Sequence, residues 1–263
     1  MKKVLQVSHF LTCIFCCLIF IGEASANNQE AQAEVLFQNK QYKEALDIWY
    51  GLVQSGNVGA GIYFNIGVSE SLLGQTPKAV MAFEKALRFK PSNNKIHEAL
   101  VHERKKIESA VIPVPTFFLT RWIEIVLSFL RPGYWAMIGL FILLMLPGWI
   151  IKSKHKVLKN RDRIRRLIMI LLTTGILFIS CAWLSYRQIY RTNEAIVVIE
   201  SIFRQAPSDD SPPIRTIYPG EKVIVSDQIG NWYQVSLLNL DEGWVEQEAM
   251  DFILIDCEAP AKD

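Results

Sequence analysis

The sequence predicts a multidomain chain of α plus all-β class: a helical-repeat domain, two transmembrane helices and a small β-barrel. Three observations predict it. Apolar residues make up 51% of 263 residues but gather into blocks, which raises the mean hydropathy to +0.19 and is the distribution of a membrane protein. Residues 27–110 align with themselves at a shift of 34. The last 70 or so residues break into short β-branched and aromatic runs separated by Gly, Pro and Asn.

Lys2 and Lys3 precede an apolar run from Val4 to Ile21. Small residues follow at Ala24 and Ala26, the positions a signal peptidase reads, and then Asn27-Asn28-Gln29. Residues 1–26 therefore read as a secretory signal peptide cleaved after Ala26; an uncleaved signal anchor is the alternative. Both place the next domain outside the cytoplasm. Residues 132–151 and 167–186 are two stretches of 20 without a charge, the length a helix needs to cross hydrocarbon. The segment 152–166 between them holds eight Lys/Arg and one Asp, so the positive-inside rule puts it in the cytoplasm. The domains before and after then share the periplasmic side of a bacterial-type inner membrane. Residues 116–130 place Thr120, Arg121, Glu124 and Ser128 on one helical face and Phe118, Trp122, Ile123, Val126 and Phe129 around the rest. This is an amphipathic helix, either interfacial on the bilayer or packed beneath the repeat domain.

In the repeat, the 34-residue shift superposes Ala45 on Ala79 and Trp49 on Phe83. The better copy carries Tyr63, Gly67, Gly74, Ala79, Phe83, Ala86 and Pro91. Gly67 and Ala79 permit close approach of paired helices, Phe83 fills the gap between them and Pro91 ends the second helix. This pattern resembles the tetratricopeptide (TPR) repeat. The resemblance implies a concave protein-binding groove with Asn65 and Glu70 as candidate lining residues. A more polar segment, 93–109, reads as the cap that a short solenoid requires.

Residues 193–256 predict five short strands, at 195–199, 202–207, 222–225, 232–235 and 244–245. Gly230-Asn231-Trp232-Tyr233-x-Val235 and Gly243-Trp244-Val245, with the turn at Gly220, resemble the bacterial SH3-like barrel. On that reading Trp232, Tyr233, Val235, Trp244 and Val245 fill a tiny core. The resemblance implies a ligand that is a cell-wall glycopeptide or a protein.

No catalytic constellation stands out. His97 and His102 are five apart and do not share a helical face. P-loop, GxSxG and GxGxxG patterns are missing, so neither a cofactor nor a metal is expected, and the chain reads as a non-enzyme. From Arg187 onward fourteen acids outnumber six bases, which argues against nucleic acid as a partner. The order of signal peptide, TPR, paired spans and SH3-like barrel resembles the TPR- and SH3-containing members of the bacterial aerotolerance (Bat) group. That resemblance implies a non-enzymatic scaffold in a membrane complex with von Willebrand A-domain proteins and a MoxR-type AAA+ ATPase, linked to stress or oxygen tolerance. The other expectations are an envelope sensor whose barrel binds peptidoglycan, and a redox or transport component resting on Cys181 and Cys257.

Overall fold

The computed structural model describes residues 24–107, 118–154 and 161–255. The helical part begins with α1 (Ala24–Gln38), α2 (Tyr42–Gln54), α3 (Ala60–Leu72), α4 (Thr76–Phe89) and α5 (Asn94–Arg104). Helices starting at Tyr42 and Thr76, and at Ala60 and Asn94, recur at an interval of 34 residues. The stripe Ala45, Leu46, Trp49, Leu52, Val53 is buried on α2, and Ala79, Val80, Ala82, Phe83, Ala86 on α4. Both follow the i, i+3/i+4 spacing of an amphipathic helix. A Cβ on Gly67 would lie 2.6 Å from the Phe83 ring, so a missing side chain lets α3 and α4 close on one another.

Helices α1, α2 and α3 end the same way. The amides of Gln41, Asn57 and Gln75 return to the carbonyls of Leu36, Leu52 and Glu70, and the residues before them, Lys40, Gly56 and Gly74, have positive φ. This is the Schellman ending, which favours glycine at the left-handed position. Helix α5 instead starts from a cap, with Asn93 accepting the amides of Lys95 and Ile96, a contact that contributes about 1 kcal/mol.

Helix α6 (Phe118–Leu127) and helix α7 (Pro132–Lys154) meet at a sharp break, and α8 (Arg161–Ile189) returns along α7. Gly139 and Gly175 face each other there: a Cβ on Gly139 would be 2.9 Å from Ile179, and one on Gly175 2.7 Å from Leu143. Among the described residues one helix, Arg165–Ile189, is long and apolar enough alone to cross a membrane; Phe118–Leu127 and Pro132–Leu144 pass that test only as a pair bent by 73°. Of the two expected spans, the second passes alone and the first passes only together with the amphipathic segment before it. The helices also extend into the expected basic loop, to Lys154 and from Arg161. The apolar side of α6 is not covered by the repeat helices, for Phe118, Trp122 and Val126 are 66%, 66% and 50% exposed.

The C-terminal part is a seven-stranded antiparallel sheet: β1 (Glu194–Val197), β2 (Ser201–Arg204), β3 (Pro213–Ile217), β4 (Lys222–Ile229), β5 (Trp232–Leu237), β6 (Glu242–Glu246) and β7 (Met250–Phe252), in the order β3-β2-β6-β5-β4-β1-β7. Five strands were expected; β3 and β7 are additional. The first is masked in sequence by its own Pro213 and the second is only three residues long. The barrel core is Val197, Phe203, Ile217, Val223, Val235, Leu237, Val245 and Met250.

Strand β1 is buried along its whole length. Val197 and Ala195 face the barrel core, while Ile196 joins the core of the repeat helices together with Ile189, Ile253 and Ile255. The helical part and the barrel thus share apolar packing through one strand.

Candidate functional site

The outer face of the barrel follows from strand alternation. Val235 and Leu237 of β5 are buried in the barrel and Tyr233 packs on their core. Period two then sends Trp232, Gln234 and Ser236 outward. In β6, Gly243 and Val245 are buried and Trp244 is half-buried. Register aligns Gln234 with Trp244, Trp232 with Glu246, and Arg204 of β2 with Trp244, and directly paired residues share a face. Two indoles, an amide and a guanidinium therefore form one outward patch. Ile202 and Ile229 border it and are 43% and 52% exposed.

The patch corrects the expectation that Trp232 and Trp244 belong to the core: a strand that buries Val235 and Val245 cannot also bury its odd-spaced tryptophans. Gly243 is buried beneath it, where a Cβ would lie 2.7 Å from the Arg204 carbonyl oxygen and the Phe203 ring. Arg204 donates to the Ser211 carbonyl at 2.9 Å, which ties the loop after β2 to the patch. Half-buried indoles offer flat apolar platforms with a polar N–H. Such a surface is suited to binding a ring or an extended chain.

A second polar centre lies where the helices meet the barrel. Arg88 of α4 donates to the carbonyls of Arg191 at 2.9 Å and Ile253 at 2.7 Å, and to the Glu194 carboxylate at 2.9 Å. Lys222 of β4 donates to Glu84 at 2.8 Å and bridges to Glu194 at 3.1 Å. Arg104 also bonds Glu84, and Arg191 reaches Glu124 of α6 at 3.0 Å. Burial pushes the Glu194 carboxyl up, but Lys222, Arg88 and Arg191 outweigh it and hold it at about 2. Burial likewise opposes charge on Glu84, yet Lys222 and Arg104 keep it below the usual carboxylate range. Burial lowers Lys222, and Glu84 with Glu194 reverse that and raise it. The carboxylates of the group are each paired with cations, which is the condition under which a buried ion cluster is tolerated, and Arg88 Nε is left without a partner among the described residues.

The remaining sequence candidates separate by role. Ala45, Trp49, Tyr63, Gly67, Ala79, Phe83 and Ala86 are buried between the helices, and Tyr63 stacks on Phe89 at 5.9 Å. Gly74 is the α3 ending. Pro91 lies just after α4 at the junction cleft. Asn65 is half-buried, whereas Glu70 is 4% exposed and accepts the Tyr50 hydroxyl at 2.8 Å. Burial and then Glu70 push the Tyr50 phenol up. Gly220 sits at the expected turn: its φ is +98° and a Cβ there would lie 2.7 Å from Ile107. Ala24 and Ala26 begin α1; the remainder of the expected signal peptide, and Cys257, lie outside the described residues. Cys181 is a free thiol.

Arg88, Glu84, Glu194 and Lys222 were not singled out by the sequence. Glu84 and Arg88 stand four apart, a common surface pairing, and nothing local ties them to residues more than 100 positions away. Among the described residues no group of three or more His, Cys, Asp or Glu is placed to hold a metal ion. Residues 201–251 match the model of the family described as the bacterial SH3 domain. No curated protein matches the chain.

Proposed function

We propose that the chain is a non-enzymatic membrane scaffold that presents a TPR-like helical unit and an SH3-like barrel on the periplasmic side, and that the barrel grips a cell-envelope ligand through Trp232 and Trp244. The observation that carries the proposal is the outward indole pair on a domain that matches the bacterial SH3 family. Family members of this kind are binding modules for proteins or peptidoglycan, and aromatic platforms suit both sugar rings and extended peptide.

Topology supports the same reading. Arg88 bonds Glu194, so the chain before and after the apolar helix Arg165–Ile189 lies on one side of any membrane that helix crosses. A single crossing is incompatible with that bond. The bent pair α6–α7, long and apolar enough when taken together, is the proposed second crossing. The paired spans, the basic turn between them in the cytoplasm and the signal peptide at 1–26 complete this proposal. The resemblance to the Bat group extends it to a complex with von Willebrand A-domain proteins and a MoxR-type AAA+ ATPase.

The test combines two measurements on the full chain. Purified sacculi are incubated with detergent-solubilised protein and with the Trp232→Ala/Trp244→Ala variant. In parallel, intact cells are crosslinked and the co-purifying proteins identified. Loss of sacculus binding in the variant places peptidoglycan on the indole patch. Recovery of A-domain and AAA+ partners with unchanged sacculus binding makes the barrel a protein-binding module. If the variant retains every partner and every wall contact, the proposal fails.

A further inference from the structure

The open cleft at the junction of α4, α5, α6, α8 and the barrel has a volume of about 470 Å³, within the ~300–1,000 Å³ range of small-molecule sites. Five cations wall it: Arg88, Arg104, Arg121, Arg191 and Lys222. They face three carboxylates, each already engaged: Glu84 by Arg104 and Lys222, Glu194 by Arg88, Lys222 and Arg191, and Glu124 by Arg191. The surplus is positive. Its most accessible member is Arg121, which is exposed and makes no hydrogen bond or ion pair with another described residue.

Two buried atoms in the same wall are also unmet. Arg88 Nε is a donor and Gln188 Oε1 an acceptor, and neither finds a partner among the described residues. Their residues are only 7% and 8% exposed. Buried polar atoms are rarely left in that state. A ligand that satisfies both must offer one acceptor and one donor, and the positive surplus of the wall favours an anionic acceptor.

We infer that the cleft binds a phosphate ester bearing hydroxyl groups, its phosphate against Arg121 and Arg88 Nε and a hydroxyl donating to Gln188 Oε1. Two sources share this chemistry: free glycerol phosphate and the headgroup of an anionic glycerophospholipid. Arg121 stands on α6 beside the exposed apolar residues Phe118 and Trp122, and Gln188 closes the apolar helix Arg165–Ile189. That position favours the headgroup. The choice of source rests on the membrane reading above; the anion site does not.

The experiment uses the full chain in an uncharged detergent. Binding of sn-glycerol 3-phosphate is measured by titration calorimetry, and retention of phosphatidylglycerol against phosphatidylcholine by native mass spectrometry. Flotation with phosphatidylcholine vesicles reports membrane association separately, so a failed membrane reading does not mimic a failed site. The expected result is saturable binding or preferential phosphatidylglycerol retention, weakened by salt. Arg121→Ala should weaken it about tenfold, the loss of one charge-assisted hydrogen bond. Arg121 has no structural bonds to lose, and Gln188→Leu provides a second variant with the same expected direction. A response to glycerol phosphate alone identifies a soluble ligand, and a response to phosphatidylglycerol alone identifies the headgroup. Absence of both, or equal binding by Arg121→Ala, overturns the inference.

Discussion

Lys40 occupies, at φ +63°, the left-handed position that Gly56 and Gly74 fill in the next two helices. A side chain costs about 1–2 kcal/mol in that conformation, part of which glycine returns through its freer unfolded chain. Lys40→Gly should therefore stabilise the helical unit by about 1 kcal/mol, read as a higher denaturant midpoint. Gly67→Ala should act oppositely. A methyl 2.6 Å from the Phe83 ring forces α3 and α4 apart, at a cost of ~1–3 kcal/mol.

Arg88 joins the two modules through one buried side chain. Arg88→Met leaves Glu194 buried with fewer partners and orphans the Ile253 carbonyl, which costs ~3–5 kcal/mol, measured as a fall in Tm. The same cluster sets an acid limit. Glu194 is held at about 2 against an ordinary 4.5, so its contribution is complete above pH 4.5 and is lost as pH falls toward 2. Lys222 is raised above 10.5, so its contribution is complete below 10.5 and is lost only as pH rises past its raised value. The Tm component from this cluster should be flat between these limits and drop below pH 4.5, and Glu194→Gln should lower the plateau and remove much of that acid drop. At this scale the sequence was readable where one residue type answers a local need, as at Gly67 and Gly74. It was not readable where the partner is remote, as for Arg88 and Glu194.

Elements were most legible where period and length agree. The helix pairs recur at 34 residues because each buries a 3.6-period stripe. The apolar blocks announced α7 and α8 because no soluble helix needs 20 uncharged residues. Strand faces were harder: Trp232 and Trp244 are large and aromatic, and size alone suggests a core. Alternation with Val235 and Val245 decides otherwise, and it was visible in the sequence. Strands β3 and β7 were less accessible, since β3 opens on Pro213 and β7 is three residues long and pairs with β1, distant in sequence. The α7–α8 pair makes its own prediction. Trp135 and Phe178 rings lie 5.4 Å apart above the Gly139–Gly175 contact. Cysteines at these two positions, with Cys181→Ser, should cross-link readily. Adding Gly175→Leu, which drives a side chain into Leu143, should abolish the cross-link; unchanged cross-linking would show that the helices do not depend on close approach there.

For the whole molecule, the sequence suggested separate modules strung along a membrane hairpin. The structure instead joins the helical unit and the barrel through β1, whose Ile196 enters the helical core, and through a charged cluster contributed by both. No local pattern encodes this docking, because Ile196 on an otherwise barrel-forming strand looks like any other β-branched residue. The joined unit keeps both modules on one side of any membrane that α8 crosses. The most direct measurement is labelling with a membrane-impermeant thiol reagent in spheroplasts, in a chain otherwise free of cysteine. Single cysteines replace Val35 on the helical unit, Leu240 on the barrel and His155 between the two proposed spans. The account predicts labelling at 35 and 240 in intact spheroplasts and at 155 only after permeabilisation. Labelling at 35 or 240 without the other would contradict it, because residues joined by Arg88 and Glu194 would then lie on opposite sides.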